Sequence, residues 1–232
     1  MSYDHVPARV AEARQRIEAA CARAGRSVSQ VTLVAVTKTH PAAAVEAALA
    51  AGVADIAENR VQELEAKVAE VGRARARWHL VGSLQRNKAK RTLPLIDLLH
   101  SLDSVRLAEK LSEEAVAAGA PVRALVQVNA SGEDTKSGFE PRELVDAIGL
   151  ICELPGLAIE GLMTMASFTG DERSLRATFA SARELSLDAA RQVASYRPLH
   201  LSMGMSNDFE VAVEEGSTLV RLGTVLFGER EP

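Results

Sequence analysis

The regular alternation of short apolar runs with amphipathic helical patterns constrains the fold of this chain more than any other feature. The apolar runs predict β-strands, because they are rich in β-branched residues and are bounded by turn residues. Eight such runs occur, at residues 31–37, 53–59, 77–82, 95–103, 122–129, 157–165, 198–204 and 218–225. Strands that alternate with helices of ordinary length predict βαβ units and a parallel sheet.

Helical patterns lie before the first strand run and between the later ones. The first pattern has one apolar stripe, formed by Val6, Val10, Ala13, Ile17 and Cys21. The others cover residues 41–51, 59–70, 83–91, 104–119, 140–152, 171–194 and 206–215. This pattern predicts an α/β chain with one domain over residues 1–232, a single (β/α)8 TIM barrel with an extra N-terminal helix. An open doubly wound sheet is the alternative.

Composition and charge narrow the classes of partner and compartment. The formal net charge is −4, from 27 basic and 31 acidic residues, so we expect no nucleic-acid partner. The N-terminus has no apolar leader, and no apolar run approaches the roughly 18 residues of a membrane span. Cys21 and Cys152 are interpreted as free thiols, and the scattered histidines predict no metal site. We therefore expect a cytoplasmic protein without a membrane partner, and the low aromatic content of 3% favours a monomer.

Lys38 ends the first strand run, in the segment VAVTK, and Pro41 follows in the loop after it. If the strand end is buried, desolvation favours the neutral amine, which is the form that attacks a carbonyl carbon. Lys38 is therefore a candidate for Schiff-base chemistry at the carboxyl ends of the strands, where barrels of this kind have their active sites. The alternative is an ordinary lysine whose amine reaches solvent beyond the strand end.

The loops after the seventh and eighth strand runs form a candidate phosphate site, since these two loops frequently bind phosphate in such barrels. The first loop reads SMGMSND and leads into a helix predicted to begin near Ser206, and Gly204 permits close approach of the backbone. The second reads RLGTVLFG, in which Gly223 and Thr224 offer N–H groups and a hydroxyl. A plain helix cap at Ser206 and a plain turn at Gly223 are the alternatives.

Arg221 has the same strand parity as Gly223, so we expect its side chain to face the barrel interior. A buried guanidinium requires partners. These are either an internal carboxylate, such as Asp55 or Glu58, or an acceptor atom on a cofactor. A phosphorylated aldehyde such as pyridoxal 5′-phosphate (PLP) would place its aldehyde at Lys38, its phosphate at the two loops and its pyridine nitrogen at Arg221.

Motifs spread along the chain resemble those of a known family. They are VAVTK (34–38), ENRVQE (58–63), WHLVGSLQRNK (78–88), SLDS (101–104), VQVN (126–129), KSGF (136–139), GLMTM (161–165), LSMGMSND (201–208) and VRLGTVLFG (220–228). From about Val6 to Gly228, the chain resembles the pyridoxal phosphate homeostasis protein family. That family is related to the barrel domain of alanine racemase, and its members are fold type III PLP-binding proteins.

The resemblance implies a set of cofactor-binding residues. Lys38 would form the Schiff base with PLP, Asn59 would lie beside the cofactor ring, and Arg221 would pair with the pyridine nitrogen. Residues of the last two loops would hold the phosphate or line the same pocket: Met203, Gly204, Ser206, Gly223 and Thr224. The implied function is intracellular PLP (vitamin B6) homeostasis, in which the protein holds PLP and passes it on, with apo PLP enzymes as recipients.

A PLP-dependent racemase is the enzyme alternative. The racemases that share this barrel use two opposed bases, the Schiff-base lysine and a tyrosine from a second domain. This chain ends at Pro232, shortly after the eighth strand run, and neither Tyr3 nor Tyr196 is predicted at a strand end. We therefore expect a carrier without catalytic turnover. Another Schiff-base enzyme, such as a class I aldolase, places its lysine on a later strand, and a sugar-phosphate barrel without cofactor leaves Lys38 unexplained.

Lys136 lies in the loop SGEDTKSG after the fifth strand run, on the same predicted rim as Lys38. We hypothesise that Lys136 contacts PLP, or a phosphate, as the cofactor enters or leaves. A solvated lysine that pairs with Glu133 or Asp134 is the alternative.

Overall fold

A computed structural model of the protein describes residues 2–132, 137–167 and 171–229. Within these residues, parallel strands close into a barrel in sequence order, from β1 to β8. The strands are β1 (Thr32–Val36), β2 (Asp55–Glu58), β3 (Arg77–Leu80), β4 (Leu98–Leu102), β5 (Val122–Gln127), β6 (Leu157–Met163), β7 (His200–Ser202) and β8 (Leu219–Leu222). The prediction of a closed (β/α)8 barrel is confirmed, and the open-sheet alternative is wrong.

Helices surround the barrel, and an extra helix precedes the first strand, as predicted. They are α1 (Val6–Arg23), α2 (Ala42–Ala50), α3 (Val61–Val71), α4 (Ala89–Thr92), α5 (Val105–Ala118), α6 (Leu144–Cys152), α7 (Glu172–Gln192), α8 (Phe209–Glu214) and α9 (Thr224–Phe227). Among the described helices, none combines the length and the apolar content that crossing a membrane requires.

The extra helix α1 covers the seam where the barrel closes, because it packs against α2, α8 and α9, the helices next to β1 and β8. Arg16 donates two hydrogen bonds to the carboxylate of Glu210, at 2.8 and 3.0 Å, and its guanidinium lies 4.6 Å from the ring centre of Phe209. Arg23 pairs with Glu214 at 2.6 Å. These contacts join the N-terminal helix to α8, the helix between β7 and β8.

The apolar core has two main parts, which follow from the alternation of side chains along each strand. One side of each strand packs against the surrounding helices. The other side fills the barrel interior with a smaller cluster: Val34, Val36, Ala57, Leu98, Leu125, Met163 and Leu219. Buried polar side chains occupy much of the remaining interior, at Asp55, His79, His100, Ser202 and Arg221.

Three predicted segments differ from the structure. The helix predicted over 83–91 is the four-residue α4 flanked by 3₁₀ turns, and Pro94, which has no N–H to donate, lies in the turn that follows it. The helix predicted over 206–215 begins at Phe209, because Asp208 holds a non-helical conformation before it. The strand run 218–225 ends at Leu222, where Gly223 turns the chain into α9.

Gly161 occupies a β-bulge in β6, where the register with β5 shifts between Ala124 and Val126. Its φ is +144°, and a Cβ built there would lie 1.8 Å from the carbonyl oxygen of His200 on the neighbouring strand β7. No side chain fits at this position without moving the backbone.

We predict that Gly161→Ala lowers the free energy of unfolding by about 2–4 kcal/mol, from the strained φ and the clash together. The measurement is equilibrium unfolding in urea. Gly25→Ala is the matched control, because Gly25 also has a positive φ, of +64°, but a Cβ there meets nothing within 4 Å. We expect about 1 kcal/mol for the control, and equal losses in the two variants would contradict the steric explanation.

Candidate functional site

A cavity of about 530 Å³ opens at the carboxyl ends of the strands, a volume typical of small-molecule sites. Each of its sides comes from a different strand end or from the segment that follows it. The lining residues are Val36, Lys38, Asn59, Val81, Met165, Ala166, Ser167, Leu175, Met205, Ser206, Asn207, Asp208, Arg221, Gly223 and Thr224.

Six of the eight predicted site residues line this one cavity: Lys38, Asn59, Ser206, Arg221, Gly223 and Thr224. Met203 and Gly204, the other two, are not among the residues that line it. Met203 is buried behind the wall, in an apolar cluster with Phe179 and Ala212. Gly204 lies beside it, and its carbonyl accepts a hydrogen bond from the backbone N–H of Arg221 at 3.0 Å. Both residues support the loop after β7 from behind.

Lys38 stands in a tight turn directly after β1. Thr37 is buried but Lys38 is exposed, so the predicted desolvation of this lysine is wrong. The next residue, Thr39, has a φ of +66°, a strained value for a β-branched residue. The backbone N–H of Thr39 donates to Oε2 of Glu63 at 2.6 Å, which holds the turn against α3. The strained turn directs Lys38 to the cavity.

A buried ion pair fixes the residue before Lys38. Nζ of Lys67 donates to the carbonyl oxygen of Thr37 at 2.6 Å and to Oε1 of Glu58 at 2.5 Å, and the Thr37 hydroxyl donates to the same carboxylate oxygen. Burial raises the pKa of Glu58, although Lys67 and Thr37 counteract this. Oε2 of Glu58 has no hydrogen-bond partner among the described residues, which agrees with a raised pKa of this carboxyl. Thr37 is thus held through both its backbone and its side chain.

Asn59 reaches the cavity through a close contact of two backbones. A Cβ on Gly82, just after β3, would lie 2.0 Å from the carbonyl oxygen of Asn59. Only glycine permits this approach, and the approach places Asn59 next to Val81 in the cavity wall.

The hydroxyl of Ser206 joins the two loops that were predicted to bind phosphate. Its Oγ accepts hydrogen bonds from the backbone N–H groups of Gly223 and Val225, each at 3.3 Å. A Cβ on Gly223 would lie 3.3 Å from the carbonyl oxygen of Val36, so the loop passes close to the end of β1. The prediction that a helix begins near Ser206 is wrong, because α8 begins at Phe209. Ser206 instead bridges the segments that follow β7 and β8.

Asp208 is a buried acid in the cavity wall that the sequence did not indicate. Its Oδ1 accepts the backbone N–H of Met205 at 2.5 Å, which closes the loop after β7. Burial raises the pKa of Asp208, and the hydrogen bond to Met205 and the charge of Arg221 counteract this. The sequence shows Asp208 only as the acid at the end of the segment SMGMSND. Its side chain turns inward because of the loop conformation, which the sequence pattern does not reveal.

Arg221 faces the barrel interior, as its strand parity predicted, and is 5% exposed. Nη1 donates to Oγ of Ser202 at 2.5 Å, and Nη2 donates to the carbonyl oxygen of Thr164 at 3.0 Å. Burial lowers its pKa to about 10, although the charge of Asp208 counteracts this, so the guanidinium stays charged at neutral pH.

The alternative, an internal ion pair of Arg221 with Asp55 or Glu58, is not formed. Asp55 pairs with Arg77 and His79 instead. The two hydrogen bonds to Ser202 and Thr164 leave further N–H donors of the guanidinium for an acceptor in the cavity, which Arg221 lines.

Other candidate residues lie away from this cavity. The hydroxyl of Tyr3 contacts Nδ1 of His40 at 3.1 Å, and the hydroxyl of the buried Tyr196 contacts Ser186 at 3.2 Å. Among the described residues, no group of three or more His, Cys, Asp or Glu side chains is placed to hold a metal ion. Lys136 lies outside the described residues.

Comparison with known proteins assigns the chain to a family. The model of the alanine racemase N-terminal domain matches residues 11–231. A pyridoxal phosphate homeostasis protein of Pseudomonas aeruginosa is 41% identical over 222 residues, which cover 96% of this chain and 94% of that protein. The protein of the same name from Escherichia coli K12 is 38% identical over 226 residues, 96% of this chain and 95% of that protein. The chain belongs to the family of pyridoxal phosphate homeostasis proteins.

Solved structures agree with this family assignment. PipY of Synechococcus elongatus PCC7942, solved with PLP bound, is 37% identical with a TM-score of 0.81, and the match covers 92% of this chain and 100% of PipY. An alanine racemase of Clostridium difficile 630 has a TM-score of 0.75 at 16% identity, over 94% of this chain and 58% of the racemase. The second match shows a shared barrel fold alone.

The buried Glu58–Lys67 pair yields a stability prediction. Lys67→Met leaves Glu58 without its cation, and we expect a loss of about 3–5 kcal/mol in the free energy of unfolding at neutral pH. Because the pKa of Glu58 then rises further, its carboxyl is protonated in the folded variant as the pH falls. The loss should therefore be smaller at about pH 5 than at neutral pH, in urea unfolding at both values.

Lys110→Met is the control for this experiment. Lys110 also pairs with carboxylates, those of Glu113 and Glu114, but on the exposed surface of α5. We expect its unfolding curve to match the wild type at both pH values. A pH-independent loss in Lys67→Met would contradict the role assigned to Glu58.

Proposed function

We propose that this protein is a PLP carrier of the cytoplasm, a monomer that holds PLP in the cavity at the barrel mouth and passes it to apo PLP enzymes. One observation carries the proposal: a primary amine, a buried guanidinium and a loop pair with hydroxyl and backbone N–H groups converge on a single cavity. Support comes from the names of the relatives and from PipY, which was solved with PLP bound.

The lining residues fit the chemical groups of PLP, which supplies an aldehyde, a phosphate and a pyridine nitrogen when bound. Lys38 offers an exposed primary amine as the attachment point for the aldehyde. Ser206, Gly223 and Thr224 offer hydroxyl and N–H donors for the phosphate. Arg221 offers charged donors from the cavity wall. Every group of the cofactor thus has a chemically matched partner in one cavity of suitable size.

The properties of Arg221 favour holding over catalysis. A guanidinium donates hydrogen bonds and does not accept them, and its proton is retained at neutral pH. An atom that lies against Arg221 must therefore act as an acceptor and stays unprotonated. An unprotonated pyridine nitrogen withdraws electrons weakly, so the chain does not activate the cofactor strongly.

The racemase alternative lacks support in the described part of the cavity. Inversion of a carbon centre requires a base on each face of the substrate. Tyr3 and Tyr196 lie elsewhere, and Asp208 is the one carboxylate among the described lining residues. We therefore propose a carrier without turnover. The participation of Lys136 in transfer stays a prediction, tested by the rate at which Lys136→Ala delivers PLP to an apo enzyme.

We predict that Lys38→Ala abolishes covalent attachment of PLP. The wild type incubated with PLP should show a visible absorption band, and after borohydride reduction, peptide mass mapping should find a pyridoxyl adduct on Lys38. The variant should lack both. Lys88→Ala is the matched control, because Lys88 follows β3 near the same rim but does not line the cavity.

A wild-type protein that takes up no PLP would refute the proposed function, as would an adduct on another lysine that persists in Lys38→Ala. Separate assays of amino-acid racemisation and of PLP transfer to an apo enzyme distinguish the enzyme from the carrier. Transfer without racemisation is the expected result.

We further predict that Ser206→Ala weakens PLP binding about tenfold, because a hydroxyl bonded to a charged phosphate contributes about 1.5 kcal/mol. Binding of pyridoxal, which has no phosphate, serves as the control and should change little. Titrations followed by the visible absorption band measure both. An equal loss for the two ligands would show that Ser206 acts on the shape of the cavity and not on the phosphate.

A further inference from the structure

A continuous line of buried polar side chains runs through the barrel interior below the cavity. Nε2 of His79 lies 3.1 Å from Oδ1 of Asp55, and Nδ1 of His79 lies 2.9 Å from Nε2 of His100. Nδ1 of His100 lies 2.8 Å from Oγ of Ser202, which accepts from Nη1 of Arg221 at 2.5 Å. None of the five residues is more than 6% exposed. We call this line the polar relay.

The polar relay joins the two ends of the barrel. Asp55 is the first residue of β2, and its carboxylate accepts two hydrogen bonds from Arg77, the first residue of β3, at 2.8 and 2.5 Å. The Arg77 side chain is 61% exposed at that end. Arg221 lines the cavity at the opposite end. A surface ion pair is thus connected to the cavity wall through four hydrogen bonds.

With one proton on each imidazole, the two ends of the relay fix the direction of every hydrogen bond between them. A guanidinium can only donate and an ionised carboxylate can only accept. Asp55 therefore accepts from Nε2–H of His79, and Nδ1 of His79 accepts from Nε2–H of His100. Nδ1 of His100 then accepts the hydroxyl proton of Ser202, whose oxygen accepts from Arg221. Each donor then has one acceptor, and the single proton of each imidazole is on Nε2.

The electrostatics of the relay agree with this assignment. Burial lowers the pKa of His100 well below its ordinary value, and the charge of Arg221 acts in the same direction. Burial alone would raise the pKa of Asp55, but the hydrogen bonds from His79 and Arg77 outweigh it and lower that pKa to about 2. The two histidines therefore lie between an anion and a cation that both stay charged.

We propose that the polar relay positions Arg221, with His100 and Ser202 as positioning residues that decide which donors the guanidinium presents to the cavity. The alternative partner of Arg221 is Asp208, a buried carboxylate in the same cavity wall whose charge already acts on it. In the structure Nη1 donates to Ser202, and the hydrogen bonds of Arg221 go to Ser202 and Thr164 and not to Asp208. Without the Ser202 hydroxyl, Arg221 turns to Asp208 and withdraws from the ligand. The consequence for PLP rests on the proposed function, whereas the relay itself belongs to the ligand-free chain.

The first test uses ligand-free wild-type protein. Long-range ¹⁵N–¹H NMR of the imidazoles reports the protonated nitrogen of each histidine. The expected result at neutral pH is a single neutral tautomer for both His79 and His100, with the proton on Nε2. A proton on Nδ1 of His100, a charged ring or two exchanging tautomers would overturn the directional relay.

The second test compares Ser202→Ala with Ser101→Ala in PLP titrations. Ser101 is the matched control, since it is 1% exposed, lies next to His100 on β4 and donates one hydrogen bond, to the Gly82 carbonyl at 2.7 Å, outside the relay. We expect Ser202→Ala to weaken PLP binding about tenfold and to shift the visible absorption maximum. Ser101→Ala should leave the absorption maximum in place.

Ser202→Thr restores the hydroxyl and should return the absorption maximum to the wild-type position, which a purely structural role of Ser202 would not require. Identical spectra and affinities for Ser202→Ala and the wild type would overturn the proposal. If the wild type binds no PLP, the proposed function fails. The NMR result then decides the relay alone: the Nε2 tautomers support the positioning of Arg221, and any other tautomers refute it.

Discussion

The parallel pairing of β1 with β8 is the contact on which the site depends. It sets Val34 beside Arg221 and brings the end of β1, with Lys38, next to the end of β8, with Gly223. Residues from opposite ends of the chain thereby share one cavity, and no local segment could supply both the amine and the guanidinium. The extra helix α1 packs over this seam, so the N-terminal segment contributes to the site without touching it.

Buried charges in this protein fix positions more than they add stability. A buried ion pair generally gains little over apolar side chains of the same volume, because desolvation offsets the attraction. The barrel nevertheless holds one pair at Glu58 and Lys67, under the turn of Lys38, and one line of polar groups from Asp55 to Arg221. The ion pair holds Thr37, the residue directly before Lys38, and the polar line ends at Arg221, which lines the cavity. The polar groups therefore lie where orientation matters, and the apolar clusters supply the packing.

Much of the fold and part of the site followed from the sequence, because periodicity determines which way strand residues point. Strand parity was sufficient to turn Arg221 inward, and the run length placed Lys38 at a strand end. The exposure of Lys38 could not be predicted, since it depends on the turn that Thr39 and Glu63 form after β1. The bridging role of Ser206 was likewise hidden, because the loop conformation and not the helix pattern decides where its hydroxyl points.

The histidines show a different limit of sequence reasoning. His79 and His100 are far apart along the chain and match no ligand pattern, yet neighbouring strands of a closed barrel place them in contact. Their alignment produces a polar line that ends at the cavity wall, and Lys38 lines the same cavity with its side chain exposed to solvent. A catalyst gains from excluding water around the reacting atoms. A carrier requires that its amine stay accessible so that the cofactor can leave. The exposure of Lys38 therefore agrees with the carrier function that we propose.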